Sequence, residues 1–152
     1  MPGVLDAAAL WLTTLVVALV AGLVPVLNVE VYLIGVAALA HDSSAAALAL
    51  PAALGQMAAK SLLYLAGSGV LRAPLGRHAA RLEPLQARFA SARAGGLAVV
   101  LTSAFSGLPP FYAVSVLAGT LRWPFLRFLM AGFLGRFARF GAVLLLPRAL
   151  SL

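Results

Sequence analysis

Acidic residues are almost missing from this 152-residue chain: Asp6, Glu30, Asp42 and Glu83 are the whole set, and charged residues of both signs make up only 10%. Soluble domains carry about 25%, so the ordinary means of keeping a folded surface in water is absent. The gaps between charges sharpen the point. None falls between Asp6 and Glu30, a run of 23 residues (7–29), or between Arg93 and Arg122, a run of 28 (94–121). About 20 apolar residues are enough to span a hydrocarbon core as helix. A very hydrophobic soluble bundle would still need regular charges on its outer helix faces, and residues 7–24 and 94–121 have none. The chain is therefore read as an all-α integral membrane protein, with residues 1–152 forming a single membrane domain.

Cysteine is absent altogether, which excludes disulfides, thiolate metal sites, thioether haem attachment and cysteine nucleophiles. Histidine occurs twice, as His41 and His78, both in connections between apolar segments. There is no paired-histidine metal motif and no glycine–lysine phosphate loop. Neither catalysis nor a bound cofactor or metal is expected. Residues 1–10 lack any Lys or Arg for a basic leader region, and the apolar stretch outruns an ordinary leader core, so the first segment is expected to stay in the mature protein.

What the chain has in plenty is hydrophobic sequence, 63% of its residues. Five apolar pieces stand out, at 7–24, 29–40, 44–66, 94–121 and 125–146. They are not five equal spans. The second has 12 residues (29–40), about 18 Å as helix, too short to cross alone; it follows Pro25 and Asn28 and carries Glu30 at its start. The fourth is broken by Pro109 and Pro110, which remove two amide donors and disfavour helix before them. Both breaks are predicted to form re-entrant hairpins that dip into the membrane and return.

The two breaks also resemble each other. Gly22-Leu23-Val24-Pro25 aligns with Gly107-Leu108-Pro109-Pro110, and at the same offset Val29 and Val31 meet Val114 and Val116. Weak internal symmetry of this kind marks duplicated membrane folds. The expected organisation is repeat 1 over about 7–67, an amphipathic linker over 68–94, and repeat 2 over about 95–147. Each repeat would hold one Pro-broken hairpin and one transmembrane helix. A single crossing per repeat makes the two repeats inverted, an arrangement in which facing broken segments build transport sites sheltered from lipid.

Basic residues outnumber acidic ones eleven to four, and the linker takes much of that excess, with Arg72, Arg77, Arg81, Arg88 and Arg93 against Glu83 alone. It reads as the cytoplasmic segment. Arg77, Arg81 and Arg88 share one helical face, Leu75, Leu82 and Phe89 line another, and Pro84 divides the stretch. Such a piece lies in the headgroup zone with its arginines toward anionic headgroups. Trp11 and Trp123 fall at segment ends, as interfacial aromatics do. Topology thus accounts for the basic excess, and membrane lipids rather than nucleic acid are the expected partners.

Glu30 is the residue whose position points most directly to chemistry, because it sits in apolar sequence five residues after Pro25. A carboxylate in lipid is costly unless protonated or paired with a cation. Two readings are open: proton coupling or headgroup contact in the membrane, or a boundary residue facing water. The candidate cations are Lys60, Arg136 and Arg139. Counted from Phe125, Arg136 lies about 16 Å and Arg139 about 21 Å into its segment, past the middle of a ~30 Å core. Their i,i+3 spacing puts both on one face, where forked donors could hold a phosphate or carboxylate. A shifted last span would instead put both at an interface. Asn28, Ser106, Tyr112 and Ser115, with Pro109 and Pro110, add polarity and free backbone at the breaks. Singly they are ordinary turn or helix residues; together at facing tips they would suit an anion.

The run Gly22-Leu23-Val24-Pro25-Val26-Leu27-Asn28-Val29-Glu30, then Gly55-Gln56 to Lys60 with Tyr64 and Gly67, Leu108-Pro109-Pro110 with Ala118-Gly119, and Phe128 with Gly135-Arg136 resemble the DedA superfamily of membrane proteins, also called the SNARE-associated or VTT-domain family. The likeness runs roughly from Gly22 to Phe140. It implies two facing re-entrant hairpins and movement of lipids across the bilayer: phospholipid scrambling in eukaryotic relatives, translocation of a polyprenyl-phosphate carrier in bacterial ones, with dependence on the proton gradient in some. Acidic residues in and after the first hairpin are a family habit, matched here by Glu30 and Asp42. Arginines flanking the second hairpin's proline are another, and here the chain departs, with Ser106 and Tyr112 nearest. The phosphate-binding role would then fall to Arg136, Arg139 or Arg122.

The leading expectation is a small multi-pass transporter of the bacterial inner membrane, acting as a flippase or scramblase on a lipid or polyprenyl-phosphate-type anion. The alternatives are a non-transporting membrane scaffold, in which Gly132, Gly135 and Gly141 allow close helix contact or a homo-oligomer, and a small-molecule efflux protein. The two-hairpin topology puts both chain ends on one side, opposite the linker from Arg72 to Arg93. Reporters fused at Met1 and Leu152 check this, and ends on opposite sides would remove that topology.

Overall fold

A computed structural model describes residues 2–39, 44–69, 87 and 93–150. Among the described residues the chain forms six helices and no strand: α1 (Pro2–Leu23), α2 (Val29–Leu39), α3 (Ala45–Gly67), α4 (Arg93–Ser106), α5 (Phe111–Thr120) and α6 (Phe125–Leu150). Asp42, His41, His78, Pro84 and most of the basic linker lie outside the described residues.

The breaks come at the prolines. α1 stops before Pro25 and α2 begins at Val29, while α4 stops before Pro109 and α5 begins after Pro110. Gly107 ends α4 with φ of 80°, and its N–H donates to the Ser103 carbonyl at 2.9 Å, a left-handed cap that glycine adopts without a Cβ clash. α5 ends through Arg122, φ 49°, with the Arg122 N–H donating to Gly119 O and the Trp123 N–H to Ala118 O, both 2.9 Å. That paired pattern closes the helix, and Pro124 prevents its continuation. α3 by contrast runs through Pro51, which is fully buried. Ser44 caps its start, the hydroxyl accepting from the Ala47 N–H at 3.1 Å.

Among the described residues, three segments are long and apolar enough to cross a membrane: Asp6–Leu23, Ala45–Gly67 and Phe125–Leu146. Two full-length helices follow from the hairpin reading of the sequence, and α1 is the third. Its 22 residues give about 33 Å of helix. α2, α4 and α5, with 11, 14 and 10 residues, reach only about 15 to 21 Å.

The chain groups into two compact units that cut across its halves: residues 1–59 with 136–152, and residues 60–135. α3 and α6 each contribute one end to each unit. In the first unit α1 and α3 approach through small residues. A Cβ on Gly55 would overlap the Leu15 carbonyl, and one on Gly22 would come within 2.5 Å of the Ala59 methyl. Ala18, Ala49, Ala52 and Ala53 are fully buried around this contact. In the second unit Gly67 of α3 and Gly119 of α5 form a reciprocal crossing, each closing on the other helix's backbone. A Cβ at Gly135 of α6 would meet the Ala104 methyl of α4 at 2.6 Å. Beside these crossings the Phe128 ring stacks on Tyr64 and Phe111, with centroids 5.3 and 5.9 Å away. The Tyr64 hydroxyl donates to the Trp123 carbonyl at 2.5 Å.

These contacts need bare backbone on both sides, so Gly119→Val is expected to destabilise the fold by about 1–3 kcal/mol or more, the usual cost of overpacking. Gly141, with nothing within 4 Å of a Cβ, is the control: Gly141→Ala should be neutral or stabilising by up to about 1 kcal/mol. Unfolding midpoints in detergent check the contrast.

Candidate ion-pair site

The first unit holds the acidic residue singled out by position. Asn28 precedes α2, and its side-chain oxygen accepts from the Glu30 N–H at 2.9 Å, which makes it the helix cap. Glu30 thereby sits in the first turn of α2, where the free amides favour a negative charge. Its carboxylate oxygen Oε1 accepts from Nε of Arg139, in α6, across 109 positions of sequence. Both side chains are 24% exposed, so the pair is largely taken out of solvent. One turn earlier on α6, Arg136 feels the like charge of Arg139 and the opposite charge of Glu30. Its guanidinium carbon stands 6.0 Å from the Phe140 ring centroid, a cation–π distance.

Three charges are thus gathered with a net of plus one, two guanidinium groups and one carboxylate. Chemically the cluster can bind an anion by letting it take the carboxylate's place against one or both arginines. Of the three cations open to Glu30, the fold selects Arg139. In the same unit, Tyr32 of α2 shares a 3.1 Å hydrogen bond with Thr14 of α1, which is fully buried. Gln56 on α3 is also buried. Neither Thr14 nor Gln56 was singled out by position as a site residue. A threonine in a charge-free helix and a glutamine beside Gly55 are the signals that could have marked them.

The second unit holds the other polar candidates. Lys60 is 6% exposed and its Nζ lies 5.9 Å from the centroid of the Tyr112 ring. Ser115 is buried, its hydroxyl donating to the Phe111 carbonyl one turn back at 2.6 Å. The Ser106 hydroxyl contacts the Thr102 and Leu108 carbonyls at 2.6 and 2.9 Å and accepts from the Leu108 N–H at 3.1 Å. The Pro109 carbonyl accepts from the buried Ser103 hydroxyl at 2.5 Å, and Pro110 occupies the cap position of α5. Asn28, Ser106 and Ser115 are thus engaged with neighbouring backbone, the ordinary cap, turn and helix roles. Asp42 lies outside the described residues.

The Glu30–Arg139 bond makes a thermodynamic demand. Glu30→Gln and Arg139→Gln should each destabilise, and the double variant should lose less than the sum, with a coupling of about 1–3 kcal/mol. Unfolding titrations of the four proteins in one detergent measure it; additivity within about 0.5 kcal/mol would mean the two side chains do not interact. Compared with protein families, curated proteins and solved structures, the chain matches none.

Proposed function

We propose that this chain is a small membrane transporter that moves an anionic amphiphile, a lipid or a polyprenyl-phosphate-type carrier, across a bacterial inner membrane. The observation that carries the reading is the Glu30–Arg139 ion pair with Arg136 in electrostatic reach, on a helix otherwise apolar enough to cross. Arg136 and Arg139 lie about 16 and 21 Å along α6 from Phe125. Ionisable groups held that deep in a membrane helix are functional by default.

In the proposed cycle the headgroup phosphate displaces the Glu30 carboxylate and takes charge-assisted hydrogen bonds from the two guanidinium groups, while the tail stays in lipid. Glu30, released from Arg139, takes up a proton from the side on which the gate is open. Release of the headgroup lets the carboxylate give up that proton and reclaim Arg139, so the proton gradient biases the exchange. The hairpins α1–α2 and α4–α5 are re-entrant in this scheme, related as inverted repeats. Supporting it, α2, α4 and α5 are too short to cross a ~30 Å core, and the order of helix, short helix and long helix occurs twice. α1 alone would also suit a full crossing, and the reporter at Met1 separates the two cases. The resemblance to the DedA superfamily belongs to the same proposal.

A membrane scaffold is the second reading, favoured by the local engagement of Asn28, Ser106 and Ser115 and by the glycine crossings. One assay separates them. In proteoliposomes with a proton gradient and labelled phosphatidylglycerol or undecaprenyl phosphate, Glu30→Gln and Arg136→Ala are each expected to slow translocation about tenfold or more, the loss of one charge-assisted contact. Transfer by both variants at the wild-type rate would overturn the mechanism, and wild-type transfer no faster than protein-free vesicles would favour the scaffold.

A further inference from the structure

We propose that the groove between α4 and α6 in the second unit is a binding site for a single anionic phospholipid. The groove has a volume of about 500 Å³. One wall is a row along α6, Leu126, Met130 and Leu134 at i, i+4 and i+8, which are 68%, 55% and 55% exposed. The facing wall is Leu97 and Leu101 of α4, and the buried Ala131 methyl keeps the floor low. All of these are apolar. The polar end carries Arg127 and Trp123, and none of the lining residues is acidic.

A long apolar slot with one cation at its end has the complementarity of an amphiphile: an acyl chain along the slot and an anionic headgroup on the guanidinium. The dimensions agree with one leaflet. Arg127 to Leu134 covers about 10 Å of helix, inside the ~15 Å of hydrocarbon in half a bilayer core. Arg127 is exposed at the start of α6, where its stem can lie along the apolar wall with the charge at headgroup level. Trp123 is the residue type that prefers that level. A second copy of the chain is a poorer occupant, because it has only four acidic residues to offer the arginine and Glu30 is engaged by Arg139. The groove shares no residue with the Glu30 cluster, so its lipid preference stands or falls independently of transport.

The chain's two tryptophans make the test direct, since Trp11→Phe leaves Trp123 as the only reporter. This protein is reconstituted in phosphatidylcholine vesicles with increasing fractions of brominated phosphatidylglycerol or brominated phosphatidylcholine, and quenching is followed. Phosphatidylglycerol is expected to half-quench Trp123 at about a fivefold lower mole fraction, the selectivity of one interfacial basic residue. Adding Arg127→Gln should equalise the two lipids, and Arg127→Lys should restore the preference. Remaining quenching by phosphatidylcholine in Arg127→Gln shows that the variant is folded and inserted. Equal quenching by both lipids before substitution, a preference that survives Arg127→Gln, or no quenching by either lipid would overturn the proposal.

Discussion

Hydrocarbon offers no hydrogen bonds, so every backbone N–H and C=O that enters it must find a partner inside the chain. The rest of the structure follows from this constraint. It accounts for the helical form of the apolar segments, and at each proline break side chains stand in for backbone partners that the helix loses. At the first break Asn28 receives the amide of Glu30. At the second, Ser103 donates to the Pro109 carbonyl and Ser106 serves both Thr102 and Leu108. The polar residues at the breaks are therefore conditions for breaking the helix there at all, which is why most of them point back at their own backbone.

Helices without charged faces cannot rely on water to drive their association, and lipid tails are as apolar as leucine. Close backbone approach supplies the attraction instead. Gly55 and Gly22 bring α1 and α3 together, Gly67 and Gly119 bring α3 and α5 together, and Gly135 brings α4 and α6 together. The aromatic stack of Tyr64, Phe111 and Phe128 fills the space beside the second of these. Because α3 and α6 are long, each offers one end to each compact unit.

Against this background the Glu30–Arg139 pair is exceptional, since a largely desolvated ion pair is seldom a net source of stability. An apolar pair of similar volume would hold α2 to α6 at less cost. In the proposed cycle, what charge adds is exchangeability: a carboxylate that another anion can replace against the two guanidinium groups. Arg127, at the edge of an apolar groove none of whose lining residues is acidic, offers the same forked donor to the phospholipid proposed to bind there.

The sequence by itself determined α3 and α6 as helices long enough to cross, the breaks at Pro25 and Pro109–Pro110, and the shared face of Arg136 and Arg139. These depend on hydrophobic length, on missing amide donors and on helical periodicity, all of which act within a few residues of themselves. It also narrowed the partner of Glu30 to Lys60, Arg136 or Arg139. Only the tertiary structure chose Arg139, 109 positions away, gave Asn28 and Ser106 to the backbone, and buried Thr14 against Tyr32. It also added α1 to the helices long enough to cross, because the turn at 24–28 begins only after 22 helical residues. Those outcomes depend on which helix faces meet, and in a chain this uniformly apolar no local pattern distinguishes one face from another; the glycine crossings that decide it become visible only when the helices are brought together.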